Sequence, residues 1–263
     1  MSQPDAEGGG RAIVVGVGLK MYFDPGETVA WSTAVAELAR RHEAIVSGRV
    51  SLFVLPSFPM LSAVIGVFAG TRVAVGAQDL FWEDRGAFTG EVSGADLRQL
   101  GCTLVEVGHA ERRLLFGEDD EVVARKLAAA LRNGLRPVLC VGEKARGGVQ
   151  DAAASCIHQL ESALAHVDPD APAAPITVAY EPGWAIGAEQ SASLDHVGAV
   201  ASRLRGWLDA HPKLAGSPVI YGGSAGPGLL TTFGDAVDGL FLGRFAHDPA
   251  ALEAVLDEAT DIT

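Results

Sequence analysis

Along the chain, short runs of β-branched and apolar residues alternate with longer stretches rich in Ala, Leu, Arg and Glu. The apolar runs are AIVVGV from Ala12, SLFVL from Ser51, RVAVGA from Arg72, CTLVEV from Cys102, RPVLCV from Arg136, ITVAY from Ile176, SPVIY from Ser217 and DGLFLG from Asp238. They are continuous rather than alternating, the pattern of strands covered on both faces. Between them, TVAWSTAVAELARRHEAIV, EVVARKLAAALRN, DAAASCIHQLESALAHV and LDHVGAVASRLRGWLDAH carry apolar residues at helical spacing. Gly134 follows one of these stretches where a helix C-terminal cap belongs, and VDPDAPAAP from Val167 reads as a loop. Repeated strand–helix units predict an α/β fold with a parallel sheet, and roughly 250 residues is the usual length of a closed (β/α)8 barrel. A doubly wound open sheet is the alternative. No change of composition marks a boundary, so a single barrel domain is expected over residues 12–263, behind a disordered polar tail, MSQPDAEGGGR, at 1–11.

Composition narrows the function classes. Of 263 residues, 48% are apolar and 20% charged, which excludes a disordered chain. Twenty Lys and Arg against 33 Asp and Glu give a net charge of −13, which argues against nucleic acid or an anionic membrane as partner. An anionic substrate would therefore need locally concentrated positive charge. Cys102, Cys140 and Cys156 lie in apolar or helical segments and read as reduced core thiols. The N-terminus lacks the basic start and apolar stretch of a secretory signal, and no apolar run reaches the length of a spanning helix. A cytoplasmic protein is the resulting expectation.

A barrel places its chemistry in the loops that follow the strands. After the first run stands Lys20, positioned to anchor an anionic substrate. After the fourth, VEVGHAERRLLFGE places His109 at the start of a short helix, whose positive end favours a neutral, hydrogen-bond-donating imidazole. Glu111 either orients or pairs with Lys20, or is simply an acidic residue suited to a first helical turn. After the sixth, Glu181 precedes Pro182 and is a candidate general base. Pro182, Gly183, Trp184, Ala185, Ile186 and Gly187 begin a segment with the composition of a hinged flap. Gly222, Gly223, Ser224 and Gly243 follow the last two runs and offer backbone N–H groups to a phosphate.

With these residues in place, AYEPGWAIG, VGHAERRLLFGE, GAFTGEVS, VLCVGE, YGGS and the Lys20–Met21 pair resemble the triosephosphate isomerase family over about Ala12 to Leu256. The resemblance implies a TIM barrel that acts as a homodimer on a small phosphorylated sugar, with no cofactor and no metal. It implies interconversion of dihydroxyacetone phosphate and D-glyceraldehyde 3-phosphate through an enediolate, as in glycolysis and gluconeogenesis. Glu181 would be the base, His109 the electrophile and Lys20 the electrostatic stabiliser, while Gly187, Ser224 and Gly243 would hold the phosphate. GAFTGEVS matches the family's protruding loop, with Thr89 at the tip that enters the neighbouring subunit.

The chain also departs from that pattern. Gly18-Leu19-Lys20 replaces the usual Asn-x-Lys, Ala110 replaces a serine, Gly187-Ala188-Glu189-Gln190 replaces Gly-Thr-Gly-Lys, and Arg244 replaces a glycine and could bind phosphate. Gly18 and Ala110 enlarge the pocket while Lys20, His109 and Glu181 are retained. The alternative substrate is therefore a four-carbon phosphosugar such as L-erythrulose 1-phosphate. A reading of another class, a non-catalytic sugar-phosphate-binding paralogue, would not need Glu181.

Overall fold

The computed structural model describes residues 12–187 and 191–262; the predicted tail at 1–11 lies outside the described residues. Each apolar run contains one strand: β1 Ile13–Gly18, β2 Val50–Leu55, β3 Ala74–Ala77, β4 Leu104–Val107, β5 Arg136–Val141, β6 Thr177–Tyr180, β7 Val219–Tyr221 and β8 Gly239–Leu242. All pair in parallel with their sequence neighbours, and β1 pairs with β8 to close the barrel. The open-sheet alternative is thereby excluded. The helices are α1 Pro25–Arg41, α2 Glu43–Val46, α3 Leu61–Phe68, α4 Gly94–Leu100, α5 Ala110–Leu115, α6 Asp120–Arg132, α7 Val149–Ala163, α8 Leu194–Ala210, α9 Leu229–Phe233 and α10 Pro249–Ile262. Among the described residues, no helix is long and apolar enough to cross a membrane.

Local chemistry sets the helix ends. Asp24 and Glu27 form a reciprocal capping box at the start of α1, and the side chains of Ser93, Asp119 and Ser193 cap α4, α6 and α8. Gly134 takes the left-handed conformation after α6, at φ 68°, as a C-terminal cap requires. One predicted helical stretch divides: His42 leaves helical backbone between α1 and α2, and its buried ring lies 3.1 Å from Asp257 of α10. Another stretch ends early, because the backbone tightens after Ala163 into turns bonded from Ala165 to Ser162 and from Val167 to Leu164.

Strand alternation divides the core in two. Val14, Phe53, Leu55, Leu104, Val138, Cys140, Ala179, Ile220 and Phe241 fill the barrel interior. The other strand faces, including Val15, Val17, Val105 and Val107, pack against the surrounding helices. A Cβ at Gly16 would fall 2.1 Å from the Phe53 ring, so glycine there admits the large side chain that plugs the barrel. Phe53 and Phe241, with ring centroids 5.7 Å apart, floor the mouth above them. The three cysteines are buried and free, as the sequence reading expects.

Candidate active site

The C-terminal ends of the strands open into a cavity of about 450 Å³. Lys20, His109, Glu111, Glu181 and Gly243 line it, together with Gly18, Glu106 and Phe241. Lys20 follows β1 in a left-handed conformation, φ 50°, which is strained for a residue with a side chain. Gln78 holds it there: its Nε2 donates to the Lys20 carbonyl at 3.0 Å and to the Leu55 carbonyl at 2.9 Å. Lys20 Nζ donates to Glu111 Oε1 at 2.6 Å, which realises the pairing role considered for Glu111. Burial lowers the Lys20 proton affinity, but Glu111 more than offsets it, so Lys20 remains above its ordinary value. For Glu111, burial acts upward and the Lys20 contact prevails, holding the carboxyl below its ordinary value.

His109 caps α5, and its Nδ1 accepts the backbone N–H of Glu111 at 3.2 Å. A ring nitrogen that accepts carries no proton, so the neutral ring bears its hydrogen on Nε2. That atom lies 3.6 Å from Glu181 Oε2, beyond hydrogen-bond range. The charge environment differs from the sequence expectation. Burial lowers the proton affinity of His109, but the Glu181 and Glu106 carboxylates outweigh burial and raise it above the ordinary histidine value. Buried carboxylates at this distance act more strongly than the end of a six-residue helix.

Glu181 extends from the end of β6 and is buried, with its Oε2 accepting no hydrogen bond. Burial raises its pKa, with His109 and Lys20 offsetting part of the effect. An added Cβ on Gly222 would lie 2.6 Å from this carboxylate, so the glycine after β7 is what gives Glu181 its room. A desolvated carboxylate with a free oxygen beside a ring N–H can take a proton from carbon while the ring polarises a neighbouring oxygen.

The expected phosphate residues Gly187, Ser224 and Arg244 and the expected dimer-loop residue Thr89 stand outside the cavity wall, as do Pro182, Gly183, Trp184 and Ala185 of the expected flap. Gly187 and Ser224 each lie within two residues of a lining residue, and Ser224 Oγ donates to the Ala185 carbonyl at 3.0 Å. Arg244 follows Gly243 but its side chain is exposed on the rim, and its charge lowers the pKa of His247, after burial, rather than reaching the cavity. Thr89 is exposed on a turn near Phe88. The first part of the expected flap is a tight turn at Gly183–Ala185, pinned by Trp184 Nε1 donating to Glu143 Oε1 at 2.9 Å. Ala188, Glu189 and Gln190 lie outside the described residues.

Sequence reasoning missed Glu106, Gln78 and the anchoring role of Glu143. Glu106 had a visible signal: a lone charge inside the apolar run CTLVEV. It shares the inward parity of Leu104, and burial pushes its carboxyl up to about 7. Glu143, in VLCVGE, accepts from both Tyr180 and Trp184 and faces His196 at 3.2 Å.

The model of the triosephosphate isomerase family matches residues 13–259. An L-erythrulose-1-phosphate isomerase of Pectobacterium atrosepticum is 51% identical over 249 residues, covering 95% of this chain and 96% of that one. A second protein of that name, from Rhizobium etli, is 40% identical, covering 92% and 90%. A triosephosphate isomerase of a Synechococcus species is 36% identical, covering 94% and 97%. The chain belongs to the triosephosphate isomerase family and is an isomerase of the aldose–ketose type.

Proposed function

We propose that this enzyme isomerises L-erythrulose 1-phosphate, with the triose phosphates as lesser substrates. The observation that carries this reading is the cavity itself: Glu181, His109 and Lys20 share it with Gly18, whose missing side chain leaves room over Phe241. A Cβ at Gly18 would only touch the Phe241 ring, at 3.6 Å, so the space beyond is open to substrate. The two relatives named for the four-carbon substrate support the same choice.

The substrate's chemistry fixes the step. L-Erythrulose 1-phosphate has its ketone at C2 and phosphate on C1, so the neighbouring hydroxylated carbon is C3. Glu181 takes the C3 proton, and the electron pair moves to give a 2,3-enediolate stabilised by His109 Nε2–H and Lys20. His109 moves a proton between the two oxygens, and Glu181 returns its proton to C2. The carbonyl has then moved to C3, giving an isomeric ketose phosphate. On a triose phosphate the same step interconverts aldose and ketose. Backbone N–H groups at Gly187, Ser224 and Gly243 hold the phosphate, and Arg244 on the rim supplies positive charge for its approach.

A second reading, preference for triose phosphates, has support from relatives of that name. Extra volume rejects a smaller substrate poorly, so turnover of both is expected, with about 10- to 200-fold preference for the tetrulose. The non-catalytic reading does not account for a buried Glu181 whose Oε2 accepts no hydrogen bond. The enzyme works as a homodimer in which Thr89 approaches the neighbouring site. Exposed Met21, Leu114, Leu115 and Phe116 around the mouth supply the apolar surface for that contact. The phosphorylated substrate and the reduced buried thiols are in keeping with the cytoplasm.

The test is proton NMR in D₂O on L-erythrulose 1-phosphate and dihydroxyacetone phosphate. Loss of the C3 proton signal, faster than exchange on the triose, is the expected result. Faster exchange on the triose would reverse the assignment, and silence on both would remove it.

A further inference from the structure

Glu106 is a buried charge that the proton-transfer steps do not use. It stands on β4 at the inward-facing position two after Leu104, opposite Val138 in the sheet register. Leu104 and Val138 flank it within the barrel, the charged groups of His109, Glu181 and Lys20 act on it from the mouth, and the hydrogen bond it accepts comes from the Cys140 thiol at 3.6 Å, a weak donor. A carboxylate has about four acceptor positions, so this leaves most of its capacity for a ligand. The residue lines the same cavity as Gly18, His109 and Glu181.

Its position in the barrel assigns it an end of the substrate. Gly243 follows β8, and Gly222 and Ser224 follow β7. In a closed ring of eight strands, β4 stands across from β8. A phosphorylated chain anchored above β7 and β8 and reaching across the mouth brings its other end toward β4. In L-erythrulose 1-phosphate that end is the C4 hydroxymethyl group, the part a triose phosphate lacks.

We propose that Glu106 is a specificity-determining residue, whose carboxyl hydrogen-bonds the C4 hydroxyl on the β4 side of the cavity. This rests on the four-carbon reading given above and extends it. A hydroxyl can both donate and accept, so it satisfies the carboxylate and the carboxylic acid alike. Because burial holds Glu106 at about 7, both forms are present near neutral pH.

The test combines Glu106→Val and Glu106→Gln with two substrates, L-erythrulose 1-phosphate and its 4-deoxy analogue, and with dihydroxyacetone phosphate as reference. Glu106→Val should lower kcat/KM on the tetrulose by about 10- to 100-fold, the worth of a hydrogen bond to a charged group. On the deoxy analogue and the triose the loss should be smaller, confined to the influence of Glu106 on His109, so that the preference for the tetrulose falls. Glu106→Gln, which keeps a donor and an acceptor, should restore most of the tetrulose activity. The hydroxyl and carboxyl deletions should thus be non-additive. Equal losses on all three substrates would overturn the proposal, because Glu106 would then act on the shared chemistry through Glu181 and His109. No loss on any would overturn it equally. Wild-type silence on the tetrulose defeats the four-carbon reading, whereas wild-type activity without a Glu106-dependent preference defeats this inference alone. Circular dichroism and melting temperature of each variant separate a folding defect from a lost contact, and Glu106→Gln keeps the test valid if Glu106→Val does not fold.

Discussion

Two groups of buried charged side chains stand side by side at the barrel mouth, and they are built in opposite ways. In the first, Asp79 after β3 and Glu118 after α5 meet Lys126 of α6 and Arg112 of α5. Lys126 Nζ lies 2.7 Å from Asp79 and 2.6 Å from Glu118, and Arg112 lies 2.8 Å and 2.6 Å from the same two carboxylates. Two cations balance two anions. Even here burial holds Asp79 above its ordinary value, with Lys126 offsetting part of it. In the second group, Glu181, Glu106 and Glu111 share Lys20 and a histidine, and Lys20 is bonded to Glu111. Glu181 is left without a hydrogen bond to Oε2, and Glu106 with a thiol. Closely paired buried charges fix the loops after β3 and β4. Those with acceptor positions left over stay available to a substrate, at a cost in stability that the rest of the fold carries.

The sharpest way to break this comparison is to remove one member of each group. Glu181→Gln should lower kcat by about 10²- to 10⁴-fold, the usual worth of a positioned general base. Its melting temperature should hold or rise, because an uncompensated buried charge is gone; a fall of several degrees would mean that Glu181 is structural. Lys126→Met should do the reverse. It leaves Asp79 and Glu118 short of a partner and should cost about 3–5 kcal/mol in denaturant unfolding, with kcat per folded molecule little changed.

A pH series sharpens the same contrast. Glu106 is held at about 7 in the fold against an ordinary value of 4.5. The folded chain therefore keeps a proton that the unfolded chain releases, and this group's contribution to stability falls as pH rises from 4.5 to about 7. Glu106→Gln has no such loss. The melting temperature of the variant relative to wild type should climb across that window and level off above it; a flat difference would contradict a buried, raised carboxyl. The smallest effect belongs to a pair outside both groups. Arg85 and Asp96 meet at 2.8 Å with side chains 61% and 63% exposed, and Asp96→Asn should change stability by less than about 1 kcal/mol.

Much of this arrangement was legible in the chain. Continuous apolar runs separated by amphipathic stretches specify strands covered on both faces, and their number and spacing specify a barrel. Lys20, His109 and Glu181 could be singled out because each is polar and stands within three residues of the end of an apolar run. Other features were not legible. Arg244 reads as a phosphate ligand beside Gly243, yet its side chain stands on the rim. The proton affinity of His109 depends on Glu181 and Glu106, one from a distant strand and one inward-facing on its own. Gln78 supports Lys20 across 58 positions of sequence.

The sequence by itself determined what is local: strand and helix periods, the caps at Asp24 and Gly134, and the polar residues at strand ends. These depend on neighbours a few positions away, where backbone geometry alone sets who faces whom. Only the tertiary structure decided that Glu106 faces the cavity, that Lys126 neutralises Asp79, and that Glu181 Oε2 is left without a hydrogen bond. Closing eight strands into a ring brings side chains from opposite strands within a few ångströms and removes the water that would screen them. Burial and charge pairing between distant segments exist only once that ring has closed.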